Sequence, residues 1–365
     1  MTPSPNTLHI MKKHHIPYLA AAMLIATLCI GCACTTPQQT QVNSYDEEEA
    51  AQPAHRNPVF SLFESENSYH VYRDGERISS FTLSQGRRPI DIRTRYGDCY
   101  ILVSESRHTD TTDTSFAPAE ILKNGRKAMI LDDALTAISF DMDEGHFYVL
   151  GRLGDSVNTI YRDGLRIHSF PVQNDRRPVD MFVYEQSIYL AWQHGRQVDI
   201  YKDNNKILSH PGICKDLAVS LRGVYLLTND SLFHDDQLIM YNEYYRNADR
   251  ELYATPIMIA VNNKDIVAGC RSSFDKEHTY SCIFLNQQPY ATIKPDEQSI
   301  GRSKFSTRCC GVAVSGETLY YATINLAADM LPMQPYTFRY HTDHDETFAI
   351  KFGEKKATLL MMASD

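Results

Sequence analysis

From residue 58 onward, short apolar runs alternate with polar turns, and helical spacing is nearly absent. β-branched and aromatic residues fill the runs, while Gly, Asp and Asn separate them. The segment "VDMFVYEQSIYLAWQHGRQVDIYKDNNKILSH" at 179–210 shows the plan most clearly, with apolar runs on both sides of each turn. This pattern predicts short antiparallel strands.

The strand pattern repeats along the chain. Its turn residues recur at intervals of roughly forty residues, and they are Asp74, Asn124, Asp163, Asp203, Asp235 and Asn286. Asp and Asn tolerate the positive φ angles of tight hairpin turns, especially before Gly. Four antiparallel strands in a unit of this length form the blade of a β-propeller.

The repeats also predict the number of blades. Complete units cover residues 89–352, and six are found there. The stretch 58–81 supplies three strands without an inner strand, while 356–364 is a lone apolar strand. Joined, these two pieces would form a seventh blade that closes the ring. The sequence therefore predicts an all-β, seven-bladed propeller, with six blades plus terminal strands as the alternative.

Four strands and three turns carry a more specific likeness. The chain resembles the bacterial extracytoplasmic propeller repeat, in which V-Y-V follows the inner strand and W-K-N-G marks a later turn. The resemblance implies the fold and an exported location, and it transfers no activity. The matching segments are Phe147-Tyr148-Val149, Ile188-Tyr189-Leu190, Val224-Tyr225-Leu226 and Leu319-Tyr320-Tyr321, with turns at 122–125, 161–164 and 201–204.

The segment "MKKHHIPYLAAAMLIATLCIGC", which starts at Met11, is typical of a secretory signal. Two lysines precede an apolar run that is short for a membrane span. Its end resembles a bacterial lipobox, which implies that Cys32 is lipidated and becomes the mature N-terminus. Alternatives are lipidation at Cys34, a plain signal peptide or a short anchor helix. Met11 is an alternative to Met1 as the true start.

These features predict three regions: a signal peptide at 1–31, a flexible tether at 32–57 and the propeller at 58–365. The tether is rich in Thr, Gln, Pro and acidic residues and has almost no apolar ones. We expect a palmitate-type lipid anchor in the outer membrane. The sequence leaves open whether the protein faces the periplasm or the cell surface.

Composition and charge narrow the classes of partner. The 36 basic and 45 acidic residues give a formal charge of -9, so nucleic acid is not an expected partner. Cysteines and histidines have no zinc-type spacing, and no metal or cofactor is expected. "HTDHDE" at 341–346 aligns with the hairpin turns of the other units. Cys270 and Cys282 flank a predicted hairpin and are the candidate disulfide pair.

The hexapeptide "RRPIDI" at 87–92 returns as "RRPVDM" at 176–181. Both copies enter an inner strand on the face that usually binds ligands in propellers. Basic side chains converging there suit an anion such as an acidic glycan. The aspartates are expected to cap backbone amides. The candidate ligand-binding residues are Arg87, Arg88, Arg176, Arg177, Lys215 and Arg308.

A second candidate surface is the insertion at 242–255, which is predicted to be a loop between units. Its Tyr244, Tyr245, Arg246 and Tyr253 would contact a partner protein or a sugar. We therefore expect a lipid-anchored binding module for an outer-membrane partner protein or an anionic glycan. No catalytic residue is identified. A carbohydrate-active enzyme, either a glycoside hydrolase or a polysaccharide lyase with its site in the central funnel, is the alternative.

Overall fold

Seven antiparallel sheets, six with four strands and one with five, make up the described part of the chain in the computed structural model. The structure describes residues 57–364 except 106–117, 132–134, 155, 242, 248–249, 263–264, 274–278, 294–305, 317, 327–335 and 343–344. Strands are the only regular elements within these ranges. No helix long and apolar enough to cross a membrane was found among the described residues.

Four consecutive blades follow the simplest plan, with neighbouring strands paired in chain order. Blade 2 consists of β4 (Arg87–Arg95), β5 (Asp98–Glu105), β6 (Glu120–Lys123) and β7 (Arg126–Ile130). Blade 3 consists of β8 (Leu135–Asp143), β9 (His146–Leu153), β10 (Val157–Arg162) and β11 (Leu165–Pro171). Blade 4 consists of β12 (Arg177–Tyr184), β13 (Ser187–His194), β14 (Gln197–Lys202) and β15 (Asn205–Pro211). Blade 5 consists of β16 (Cys214–Ser220), β17 (Gly223–Thr228), β18 (Ser231–His234) and β19 (Gln237–Tyr241).

The remaining three blades include the larger sheet and the closure of the ring. Blade 6 consists of β20 (Glu243–Asn247), β21 (Arg250–Val261), β22 (Ile266–Ser273), β23 (Thr279–Leu285) and β24 (Gln288–Ile293). Blade 7 consists of β25 (Ser306–Ser315), β26 (Thr318–Leu326), β27 (Tyr336–Thr342) and β28 (Asp345–Gly353). Blade 1 joins β1 (Val59–Ser65), β2 (Ser68–Arg73) and β3 (Glu76–Phe81) to β29 (Ala357–Ser364).

The blades form a closed ring. Each inner strand contacts the inner strands of both neighbouring blades, in the order β29, β4, β8, β12, β16, β21, β25 and back to β29. Seven hydrophobic clusters of described residues lie one at each interface between blades, as apolar strand faces require. The seven-bladed propeller predicted from the repeats is confirmed.

The two ends of the propeller chain meet in blade 1. β29 pairs antiparallel with β1 from Val59 opposite Ser364 to Ser65 opposite Ala357. Leu359 packs in the cluster that contains Phe63 and Phe338, between blades 7 and 1. The terminal strands thus form a blade of the ring, and the alternative of six blades with terminal additions is wrong.

The repeated turn residues anchor the outer hairpin of a blade to its second strand. Asp203 has a positive φ of 45°. Its amide donates to the carbonyl oxygen of Ile188 at 3.0 Å, and its Oδ1 accepts from the amide of Ile188 at 2.9 Å. The same pair of hydrogen bonds joins Asp74 to Val59, Asn124 to Cys99, Asp163 to Phe147, Asp235 to Val224 and Asn286 to Ile266. This pair of hydrogen bonds therefore explains why Asp or Asn recurs at these turns in the sequence.

Candidate functional site

The seven inner strands surround a central channel with a volume of about 740 Å³. A propeller leaves such a space because its inner strands line the ring axis. The size falls within the range of pockets for small ligands. The channel is therefore a candidate ligand site.

The inner strands of blades 2 to 7 share a local irregularity. Each contains a β-bulge, an extra residue that interrupts pairing with the second strand. A bulge re-aims the side chains that follow it. The residues directly after the bulges are Asp91, Ser139, Asp180, Asp216, Met258 and Gly311.

The residues at and after the bulges divide the channel wall into two halves. Blades 2 to 5 carry the polar half, formed by Asp91, Arg93, Ser139, Asp141, Asp180 and Asp216. Blades 6, 7 and 1 carry the apolar half, formed by Met258, Ala260, Gly311, Ala313, Met361 and Ala363. The channel therefore offers hydrogen-bonding groups on one side and hydrocarbon on the other.

Arg93 connects the carboxylates of the polar half. Its Nη1 donates to Oδ1 of Asp91 at 2.6 Å, and its Nε donates to Oδ1 of Asp141 at 3.0 Å. The Asp141 side chain is 5% exposed, so its charge is compensated largely by Arg93 and by hydrogen bonds. Arg93 belongs to blade 2 and Asp141 to blade 3, so the ion pair also joins two blades.

Carboxylates also bond to the backbone of the next blade. Oδ2 of Asp141 accepts from the amide of Val183 at 2.6 Å, and Oδ2 of Asp180 accepts from the amide of Leu217 at 2.9 Å. The Ser139 hydroxyl donates to Oδ1 of Asp180 at 2.6 Å. These bonds connect equivalent levels of adjacent strands, which shows that the inner strands run in the same direction.

Burial raises the pKa values of the channel carboxyls. The pKa of Asp216 is raised to about 8, first by burial and then by the charge of Asp180. The pKa of Asp91 is raised to about 6 by burial, against the opposing effect of Arg93. Burial also raises the pKa values of Asp141 and Asp180. At neutral pH we expect Asp216 to be mainly protonated and able to donate a hydrogen bond.

The raised pKa values predict a dependence of stability on pH. Asp91 and Asp216 have folded-state pKa values above 3.8, so their stabilising contribution is complete below that value. It is lost as pH rises through about 6 and about 8. We expect the melting temperature to fall by about 5 °C between about pH 5 and about pH 9.

Thermal unfolding of the wild type and Asp216→Asn checks this prediction. Asn replaces the protonated acid with a neutral group of similar shape, so the variant should lose the alkaline part of the pH dependence. The same fall in both proteins above about pH 7 would contradict the assignment to Asp216.

Three of the predicted rim arginines lie at one register position. Arg88, Arg177 and Arg308 each stand one residue before the last paired residue ahead of the bulge. All three are exposed. Because the inner strands run in the same direction, these residues lie at the same end of the ring, but none of the three is among the described residues that line the channel. Lys215, the bulged residue of blade 5, is also exposed and lines the channel.

Two other predicted residues are held within their own blades. Arg87 forms an ion pair with Glu120 at 3.2 Å and donates to the carbonyl oxygen of Pro118 at 2.9 Å. Arg176 donates from Nη1 to the hydroxyl of Tyr201 at 3.0 Å, and its guanidinium lies 5.2 Å from the ring centre of Trp192. In each arginine pair, one residue is thus held within its own blade and the other is exposed.

Residues 243–247 and 250–255 of the insertion form paired strands and not the predicted loop. Tyr244 and Tyr245 lie in β20, and they pair with Tyr253 and Leu252 in β21. Tyrosine has a high preference for strands, which favours pairing here. Arg246 lies opposite Glu251. The hairpin precedes the inner-strand part of β21 and therefore lies toward the same end as Arg88.

The predictions of a disulfide, a signal, a tether and a lipidation site stay untested. Cys270 lies directly opposite Cys282, whose side chain is buried, and the disulfide stays a prediction. Residues 1–56 lie outside the described residues, so the signal, tether and lipidation of Cys32 also stay predictions. No group of three or more His, Cys, Asp or Glu side chains placed to hold a metal was found in the part of the chain that the structure describes.

Comparisons with known proteins add a fold likeness only. No protein-family model matches the chain, and no curated protein matches it. It is similar to dihydro-heme d1 dehydrogenase NirN in complex with DHE, at 10% identity and a TM-score of 0.44, over 84% of this chain and 74% of that chain. It is also similar to apo AztD from Citrobacter koseri, at 10% identity and a TM-score of 0.36, over 85% and 98% of the two chains. A nidogen/laminin complex gives 11% identity and a TM-score of 0.36, over 84% and 98%.

Proposed function

We propose that the protein is an extracytoplasmic binding module that holds an acidic glycan at the mouth of its central channel. The four exposed cations Arg88, Arg177, Lys215 and Arg308 are called the basic rim. The observation that carries the proposal is their exposure at the entry ends of the inner strands of blades 2, 4, 5 and 7. Guanidinium groups bind carboxylates through paired hydrogen bonds.

The channel below the rim supports a sugar in particular. A pyranose ring presents hydroxyl groups at its edge and C–H groups on its face. The polar half of the wall offers protonated Asp216 to hydroxyls, and the apolar half offers Met258 and Met361 to a C–H face. An acidic glycan would thus place carboxylates on the rim and a terminal residue inside.

The predicted lipid anchor belongs to the same proposal. Lipidation at Cys32 and the tether would hold the propeller at the outer membrane, where extracellular or periplasmic glycans are accessible. A partner protein in that membrane is the competing ligand, and the β20–β21 hairpin would be its contact. Two results together would favour that partner: the propeller binds no glycan, and its capture of a membrane protein depends on Tyr244 and Tyr245.

A glycan array with the purified protein tests the proposal. We expect binding to polysaccharides that carry uronic acids and little binding to neutral ones. The double variant Arg88→Ala, Arg177→Ala should bind about a hundredfold more weakly, at about tenfold for each lost charged hydrogen-bond partner. Arg77→Ala is the matched control because Arg77 is exposed on β3, away from the channel. Equal binding by the double variant would contradict the proposal.

Asp180 and Asp216 favour one alternative, a carbohydrate-active enzyme. Neighbouring carboxyls with different proton affinities can supply a general acid and a base. However, both oxygens of Asp180 already accept hydrogen bonds, from Met181, Ser139 and Leu217. An assay for new reducing ends, with Asp216→Asn as the control, separates the two functions: cleavage that Asp216→Asn abolishes would establish the enzyme.

A further inference from the structure

A second concave site lies between blades 1 and 2, away from the basic rim. It has a volume of about 520 Å³. Arg73 and Ile78 line it from blade 1, and Gly97, Lys123 and Arg126 line it from blade 2. Gly97 follows the far end of β4, whose first residues form part of the rim, so this cleft opens at the opposite end of the propeller.

Four cationic side chains surround the cleft, and two of them are already paired. Lys123 Nζ lies 2.7 Å from Asp98, and Lys127 Nζ lies 2.8 Å from Glu120. The pairing with Lys123 lowers the pKa of Asp98, so that carboxylate is ionised at neutral pH. These two lysines therefore contribute little uncompensated charge.

The two arginines of the cleft differ from the lysines. Among the residues that the structure describes, Arg73 and Arg126 form no ion pair. The Arg73 guanidinium carbon lies 5.8 Å from the ring centre of buried Phe60, and Arg126 begins β7 with its side chain exposed. Two guanidinium groups that form no ion pair with a described residue thus face one cleft, although the charge of Asp98 interacts with that of Arg73.

An apolar wall accompanies this charge. Ile78 is 41% exposed, and Ala128 lies exposed on the other blade. A ligand that filled the cleft would remove both from water. Apolar lining with a few converging charged groups is typical of small-ligand sites.

From these observations we infer that the cleft binds a phosphate monoester carried on an apolar body. A phosphate monoester is close to a dianion at neutral pH and matches two guanidinium groups that have no ion-pair partner among the described residues. Its three terminal oxygens suit two planar donor forks better than a single carboxylate does. The ester substituent would rest against Ile78 and Ala128. This site is separate from the basic rim and does not depend on glycan binding.

Calorimetric titration with 1-naphthyl phosphate tests the inference. We expect wild-type protein to bind it more tightly than inorganic phosphate, because only the ester covers the apolar wall. Arg73→Gln and Arg126→Gln should each weaken binding about tenfold, which corresponds to loss of one charged hydrogen-bond partner. Arg77→Gln is the matched control, as Arg77 is an exposed arginine outside the cleft lining.

Further arms separate the sources of the phosphate and the two sites. Phosphatidylcholine vesicles with and without phosphatidic acid show whether a lipid headgroup is recognised as well as a soluble ester. Either source supports the inference if the double variant Arg73→Gln, Arg126→Gln loses it. The rim variant Arg88→Ala, Arg177→Ala should retain 1-naphthyl phosphate binding. Unchanged affinity in the folded double variant, or no binding by wild-type protein, would overturn the inference.

Discussion

Deletion of residues 357–365 is expected to abolish the cooperative unfolding of the propeller. The deletion removes β29 and uncovers β1, whose Phe60, Leu62 and Phe63 side chains are fully buried. It also opens the ring at blade 1, because β29 contacts the inner strands of blades 7 and 2. The free energy lost with these apolar contacts exceeds the usual free energy of unfolding of a domain. Differential scanning calorimetry should show no sharp transition.

Two variants keep this prediction specific. Removal of Asp365 alone leaves β29 complete and should preserve the transition. Leu359→Asp places a charge in the cluster with Phe63 and Phe338 and should cost at least about 3 kcal/mol. A synthetic peptide of residues 355–365 added in trans should restore part of the transition to the deleted protein. A deleted protein that melts like the wild type would contradict closure by β29.

Replacement of Arg93 by Met is expected to destabilise the protein by about 3 to 5 kcal/mol at neutral pH. The substitution leaves Asp91 and Asp141 without the guanidinium that bonds to both. Loss of that charge raises both carboxyl pKa values further, so the deficit should shrink as pH falls and the acids become protonated. Chemical unfolding at several pH values measures the free-energy difference.

Arg95→Met is the matched control for this variant. Arg95 lies two residues further along β4 and contacts exposed Tyr96, with a hydrogen bond of 3.1 Å to its hydroxyl. An exposed contact of this kind contributes little, so a change within about 1 kcal/mol is expected. If Arg93→Met were as mild as Arg95→Met, the polar half of the channel would not depend on that ion pair.

The sequence predicted the blades because each repeat carries its own local signal. Turn residues such as Asp163 and Asp203 need both a positive φ and a side-chain acceptor, and few residue types supply both. Apolar alternation marked the strands, and the unpaired pieces at 58–81 and 356–364 indicated how the ring closes. These features depend on neighbouring residues, which a repeat displays several times.

The candidate site was less predictable because it depends on register between strands. Arg87 and Arg88 are adjacent in sequence, yet one is held by Glu120 and the other is exposed, since successive side chains point to opposite sides of a strand. The role of Arg93 could not be predicted because its partner Asp141 lies in another blade. Aligning Asp91, Asp180 and Asp216 across the repeats would have indicated a shared level in the channel.

A crystal structure with a uronic acid oligosaccharide tests the binding proposal most directly. We predict a carboxylate within about 3 Å of the side-chain nitrogens of at least two residues among Arg88, Arg177, Lys215 and Arg308. We also predict a terminal sugar inside the channel, between the polar and apolar halves. An oligosaccharide bound away from the rim, or one whose carboxylates face solvent, would contradict the proposed function.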